Sequence, residues 1–118
     1  MNTGMNTTSA GNRAEDKACQ FLSSKGYKVL QRNWRTKLCE IDIIATKDKE
    51  VFFVEVKYRN QSAQGRGLDY ITIKKQKQMK FAAQLWVHEF KWLEDYSLAA
   101  IEISGAELNV TAFEEVIL

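Results

Sequence analysis

Two apolar segments that are separated by only four polar residues constrain the fold of this chain most strongly. They are "EIDIIAT", Glu40–Thr46, and "VFFVEVKYR", Val51–Arg59, and "KDKE" joins them. β-Branched and aromatic residues favour extended strands, and a short polar link between two such segments is typical of a β-hairpin. We therefore expect an antiparallel pair of strands. Its apolar residues, among them Ile44, Phe53 and Val54, predict cover on both faces of the sheet.

The rest of the sequence predicts one α/β domain with the element order α-β-β-β-α-β-β. Apolar residues at helical spacing predict two helices, and Asn12 with Glu15 has the spacing of a capping box at the start of the first. Residues 1–10 have no periodicity, so we expect a disordered tail there and a single domain over residues 11–118. The predicted elements are a helix from Asn12 that ends at Gly26, strands over residues 27–34, 40–46 and 51–59, a loop with Gly65 and Gly67, a helix from about Thr72 to Phe90, and strands over residues 97–104 and 107–113 around a turn at Gly105.

Composition narrows the class of protein. No apolar run approaches the roughly 20 residues that span a membrane, and the first residues lack the apolar core of a secretory signal. We therefore expect a cytoplasmic protein without a membrane segment, in which Cys19 and Cys39 are free thiols. Residues 11–80 carry 16 Lys and Arg against 8 Asp and Glu, whereas residues 81–118 carry 1 against 7. This asymmetry suits a nucleic-acid partner, although an ordinary solvated surface also explains it.

Four charged residues of the predicted hairpin form a pattern that suits metal chemistry. Glu55 and Lys57 share one face of their strand, and Asp42 lies on the paired strand with Glu40 two residues before it. Carboxylates close together repel one another unless a cation joins them, and oxygen ligands suit Mg²⁺ or Mn²⁺. A lysine beside such a site can orient the attacking water or neutralise charge on a phosphate. The pattern thus predicts phosphodiester hydrolysis; the alternative is a cross-strand salt bridge on a solvated face.

Basic residues beside these acids are candidates for nucleic-acid binding. One group lies just before the acidic strand, and a second lies at the start of the second helix, where free backbone N–H groups attract anions. Both groups are also compatible with ordinary solvated surface. The candidates are Arg32, Asn33, Arg35, Arg59, Lys74, Lys75 and Lys77.

The chain resembles the PD-(D/E)xK nuclease superfamily and, within it, the small bacterial YraN (UPF0102) family, which is similar in fold to archaeal Holliday junction resolvases. Four segments carry the resemblance: "GNRAEDKA" at residues 11–18, "RNWRTKLCEIDIIA" at 32–45, "VFFVEVKYR" at 51–59 and "TIKKQKQ" at 72–78. The resemblance implies a restriction-endonuclease-like αβββαβ core with a mixed central sheet flanked by helices.

The resemblance also implies roles for individual residues. Asp42 and Glu55 correspond to the metal carboxylates, Lys57 to the motif lysine, and Glu15 to the extra acid that resolvase-like members place beside the metal. Glu40 corresponds to a supporting acid in the family's Gly-Glu-Ile-Asp segment, and Lys75 to its helix lysine. Two positions depart from the pattern, because Ile41 replaces the superfamily's proline and Cys39 replaces the glycine before the glutamate.

Three kinds of function are compatible with these patterns. The first is a Mg²⁺- or Mn²⁺-dependent endonuclease that cleaves DNA, with branched or junction DNA as a candidate substrate and a homodimer expected by analogy with resolvases. Its catalytic residues would be Glu15, Asp42, Glu55 and Lys57. The alternative is an inactive nuclease-fold module that binds nucleic acid or a protein partner; an adaptor with an acidic C-terminal part is a third reading.

Overall fold

The computed structural model of the protein describes residues 5–60 and 71–117, with side chains from residue 12. The loop with Gly65 and Gly67 therefore lies outside the described residues. The element order agrees with the predicted one. The elements are α1 (Met5–Ser24), β1 (Lys28–Arg35), β2 (Glu40–Lys47), β3 (Glu50–Arg59), α2 (Ile73–Phe90), β4 (Tyr96–Ser104) and β5 (Asn109–Val116).

The five strands form one mixed sheet in the order β1-β2-β3-β4-β5. β3 and β4 are parallel, and the other neighbouring pairs are antiparallel. α1 covers one face through a core that includes Ala18, Leu22 and Ile43. α2 covers the other face, where Phe53 and Trp86 belong to the second core. The predicted α/β class with a mixed central sheet flanked by helices is confirmed.

The β2–β3 hairpin is confirmed, with a tighter turn than the four-residue link suggested. Lys47 and Glu50 already pair in the ladder, so only Asp48 and Lys49 form the loop. Both have positive φ, 53° and 67°, as a type I′ turn requires. This turn matches the right-handed twist of the two strands and fixes their register.

The start of α1 differs from the prediction. The helix begins at Met5 and passes through Asn12, so the predicted N-cap at Asn12 is wrong, and residues 5–10, expected in the tail, are helical. The chain has no proline, and a glycine in a helix interior costs only about 1 kcal/mol. The sequence near Gly11 therefore contains no strong signal that would end a helix. The later part of α1 packs against the sheet, and the helix extends from there back to Met5.

The start of β5 also differs from the prediction. The turn after Gly105, whose φ is 80°, continues to Leu108, whose φ is 56°. The N–H of Leu108 donates to the carbonyl of Gly105 over 3.1 Å. β5 therefore begins at Asn109, later than predicted, because these residues are used to close the turn.

Among the described residues, neither helix is long and apolar enough to cross a membrane.

The end of α1 at Gly26 is confirmed and has the geometry of a Schellman motif. The N–H of Tyr27 donates to the carbonyl of Leu22 over 3.0 Å, and the N–H of Gly26 donates to Ser23 over 3.1 Å. Gly26 has a φ of 93°, which an L side chain adopts only with strain.

We expect Gly26→Ala to lower the free energy of unfolding by about 1–2 kcal/mol, because the added Cβ strains the left-handed backbone. The added Cβ would not clash with a neighbour, since it would lie 3.5 Å from Lys47 Cε. Urea denaturation would measure the change. Ser23→Ala, in the exposed last turn of α1, is the matched control; equal stability of both variants would contradict the expectation.

Candidate active site

The candidate site forms where β2 and β3 separate. Their ladder runs from Lys47–Glu50 to Ile43–Val54. One residue beyond it, the Asp42 Oδ2 atom accepts the backbone N–H of Val56 over 2.8 Å. β3 meanwhile stays in the sheet, because it pairs with β4 as far as Arg59. A carboxylate thus takes the place of a backbone partner in the gap between two strands.

An irregularity in β2 directs Asp42 into this gap. Ile41 packs in the core under α2, whereas Ile43 packs in the core under α1. A regular strand would place residues two apart on the same face. The neighbouring strand is irregular at the same level, since Asn33 has a φ of 53°. The two irregular backbone positions therefore meet at Asp42, which lies between Ile41 and Ile43 and opposite Asn33.

Glu55 is held by a lysine from the start of α2. Its Oε2 atom lies 3.0 Å from Lys75 Nζ, and 20% of its side chain is exposed. Thr72 caps α2 by accepting the N–H of Lys75 over 3.1 Å, which fixes this lysine in the first turn. A cation at a helix N-terminus is unfavourable, so the ion pair with Glu55 offsets that cost.

Glu15, which extends from α1, is held by β1. Its Oε1 atom accepts Asn33 Nδ2 over 3.0 Å and lies 3.5 Å from Arg32 Nη2. Arg32 also forms a 2.8 Å ion pair with Asp16. Arg32 and Asn33 therefore hold the first helix against the edge strand, and their polar groups are already used within the protein.

Electrostatic repulsion links the acids of the site. The pKa of the Asp42 carboxyl is raised from 3.8 to about 7, first by burial and then by the charge of Glu55. Glu15 and Glu40 act in the same direction, whereas the hydrogen bond from Val56 lowers the pKa. The site therefore disfavours the charged form of Asp42 unless a cation compensates it.

The acids do not converge on one point as the sequence predicted. Within residues 12–60 and 71–117, no three His, Cys, Asp or Glu side chains stand close enough to hold a metal ion. The reason is the pairing of the flanking acids, since Glu55 faces Lys75 and Glu15 faces Asn33 and Arg32. Asp42 and Glu55 remain the two acids that share the strand gap.

A groove of about 710 Å³ opens beside Glu55 on the α2 side of the sheet. Two acids, three lysines and several apolar side chains surround it. The lining residues are Leu38, Cys39, Glu40, Glu55, Ile73, Lys74, Lys75, Lys77, Gln78, Met79 and Phe81. The structure therefore brings the predicted helix lysines together with Glu40 and Glu55.

The remaining predicted residues lie outside the groove lining. Arg35 forms a 3.5 Å ion pair with Glu40, and both side chains are mostly exposed. Lys57 is exposed and lies beside Glu102 in the register of β3 and β4. Arg59 forms an ion pair with Glu102, so its charge is used inside the protein and we no longer expect a phosphate contact from it.

Sequence reasoning missed the polar group around Glu102. This residue is only 4% exposed, and Thr111 Oγ1 donates to its Oε1 atom over 2.7 Å. Thr111 also lies 2.9 Å from the hydroxyl of Ser104. A glutamate inside the apolar segment "SLAAIEIS" is the signal that could have indicated a buried, paired acid.

We expect Asp42 to make the fold less stable as the pH rises from about 4 to about 7. The folded protein keeps a proton on Asp42 up to about pH 7, whereas the unfolded chain loses it near pH 4, so the unfolded state is favoured progressively in this window. Asp42→Asn keeps an acceptor for Val56 and removes the effect. The free energy of unfolding of this variant, relative to that of wild type, should rise by up to a few kcal/mol between about pH 4 and about pH 8.

Urea denaturation at several pH values, with divalent metals chelated, would measure this difference. Glu94→Gln changes an exposed acid and is the control. Stability curves for Asp42→Asn and wild type that stay parallel across the window would contradict the expected titration.

Comparison with known proteins places the chain in a family. The sequence profile of the uncharacterised protein family UPF0102 matches residues 14–110. The chain is 39% identical over 94 residues to a UPF0102 protein of Fusobacterium nucleatum, which covers 80% of this chain and 78% of the relative. It is 43% identical over 113 residues to a UPF0102 protein of Chloroherpeton thalassium, with 94% and 88% covered. The chain therefore belongs to the uncharacterised protein family UPF0102.

Proposed function

We propose that this protein is a metal-dependent endonuclease of the PD-(D/E)xK superfamily that hydrolyses phosphodiester bonds in DNA. The observation that carries the proposal is the position of Asp42. Its carboxylate occupies the gap between β2 and β3 and accepts the Val56 N–H, beside Glu55 on the next strand. Lys57 follows on the same face of β3. Phosphodiester hydrolysis needs such a set of groups: an acid in a strand gap, an acid on the neighbouring strand and a lysine two residues later.

The donor set fits Mg²⁺ or Mn²⁺ in part. Asp42 and Glu55 supply carboxylate oxygens, which suit these ions. Burial and then the charge of Glu55 raise the pKa of Asp42, so a nearby cation would stabilise its charged form. The chemistry that such an ion supplies when bound is polarisation of a phosphate oxygen and activation of water. Glu15 is engaged with Asn33 and Arg32, so its role as a third ligand requires that it leave them.

The residues of the chain have separate tasks in this proposal. Val56 fixes the Asp42 carboxylate through its N–H, and Lys57 orients the attacking water. Lys75 neutralises Glu55 in the absence of a metal. The Lys75 ammonium would be free to bind a phosphate of the substrate if a bound cation compensated the charge of Glu55 instead. One lysine thereby couples the state of the acids to nucleic-acid binding.

The partner in this proposal is DNA, held through its phosphates. Lys74 and Lys77 are exposed at the groove. They lie near the N-terminal end of α2, where backbone N–H groups also attract anions. Such contacts position the backbone without reading sequence. The resemblance to resolvases adds junction DNA and a homodimer as proposals by analogy. Two free cysteines among the described residues agree with the reducing cytoplasm that we propose as its location.

Calorimetric titration of Mn²⁺ into wild type and Asp42→Asn tests the metal site. We expect binding to wild type and at least a tenfold weaker affinity in the variant, because one of two carboxylate ligands loses its charge. Glu94→Gln, which changes an exposed acid away from the groove, should bind like wild type. Cleavage of branched and single-stranded DNA with Mg²⁺ should show the same dependence on Asp42.

The opposite result has a clear meaning. If wild type binds no Mn²⁺ and cleaves no DNA, the acids are structural, and Lys75 is the permanent partner of Glu55. The protein would then be a nuclease-fold module that binds nucleic acid or a protein without cleaving it.

A further inference from the structure

We propose that the groove beside Glu55 binds an unpaired nucleotide segment, so that the substrate is DNA with unstacked bases rather than continuous duplex. The inference deepens the proposed function and depends on it for the position of the reacting phosphate. It comes from the apolar part of the groove, which phosphate binding leaves unexplained.

Three large apolar side chains of the groove are exposed to solvent. Leu38 is 73% exposed, Ile73 is 66% exposed and Phe81 is 45% exposed. They are three of the seven large hydrophobic residues that are exposed within the described parts of the chain, and all three line the same groove. An exposed apolar group of this kind beside charged residues is typical of a binding surface.

Apolar and basic side chains alternate along one face of α2. Ile73, Lys77 and Phe81 follow one another at intervals of four residues, so they share one face of the helix. That face is separate from the buried face, which consists of Met79, Ala82, Ala83 and Trp86. The sheet therefore does not use this apolar surface, and it stays available to a ligand that also carries negative charge.

The charges of the groove favour such a ligand. Glu40 is paired with Arg35 and Glu55 with Lys75, so neither acid stands uncompensated at the groove wall. Lys74 and Lys77 add positive charge within the same lining. Phosphates can therefore approach the lysines while an apolar group of the ligand contacts Phe81.

An unpaired nucleotide offers this combination, whereas duplex DNA does not. In a duplex the faces of the bases are stacked, and only phosphates and base edges reach a protein. In a single strand each base can stack on an aromatic side chain while its phosphate meets a lysine. The groove volume of about 710 Å³ suits a small ligand, which corresponds to individual nucleotides rather than a double helix.

Fluorescence anisotropy with a labelled oligo-dT strand and a blunt duplex of the same length tests the inference. EDTA is present in both titrations, so binding does not depend on the proposed metal. Wild type should bind the single strand more tightly than the duplex. Phe81→Ala should weaken single-strand binding about tenfold, because one stacked base is lost, and should leave duplex binding unchanged.

Matched variants separate stacking from loss of structure. Phe81→Tyr keeps the aromatic face and should bind like wild type. Leu93→Ala removes an apolar side chain that is 92% exposed but does not line the groove, and it should also bind like wild type. Thermal unfolding of each variant would verify the fold.

The outcomes are distinguishable from those of the proposed function. Equal binding of single strand and duplex, or unchanged single-strand binding by Phe81→Ala, overturns the inference even if cleavage depends on Asp42. In that case the apolar wall serves another partner, such as an acidic peptide. Preference for the single strand that is lost in Phe81→Ala supports the inference, even if no metal binds and the nuclease proposal fails.

Discussion

The hydrogen bond from the Val56 N–H to the Asp42 carboxylate is the interaction on which the candidate site depends. It forms at 2.8 Å where the β2–β3 ladder has ended. Without it, a backbone N–H in a half-buried strand gap would lose its partner, which is costly. With it, the sheet can open between two strands without an unsatisfied donor. The gap then brings an acid from each strand close together, and the remaining features of the site are arranged around that pair.

The surrounding charges show how the fold tolerates these acids. Each of the flanking acids has a partner from another element: Lys75 of α2 for Glu55, and residues of β1 for Glu15. Asp42 accepts the backbone N–H of Val56, and burial together with the charge of Glu55 raises the pKa of its carboxyl. Buried charge without compensation is unfavourable. Neutralising this one carboxylate by a proton, or by a cation in the proposed function, relieves that cost.

The two faces of the sheet have different roles near the site. α1 covers one face along a continuous apolar core, and Glu15 reaches from it toward β1. α2 covers the other face only over part of its length, and its first turns carry the lysines that line the groove. Further along the same strands, the buried pair of Arg59 and Glu102 replaces apolar packing.

The sequence by itself determined the helices and strands and their order. Strand propensity, helical periodicity and glycine positions predicted the element order, the hairpin and the end of α1 at Gly26, because these depend on local backbone preferences. The start of α1 was missed, since a helix boundary without a strong stop signal depends on packing.

Only the tertiary structure decided how the charged residues are used. Residues distant in sequence met across elements: Lys75 with Glu55, Asn33 with Glu15, and Arg59 with Glu102. Sequence spacing fixes which face of a strand a residue shares, but it does not fix which helix or neighbouring strand approaches that face. For that reason the sequence predicted that Asp42 and Glu55 lie on one strand pair, as they do in β2 and β3. The partners of these acids, and the apolar wall of the groove, followed from the packing of α1 and α2.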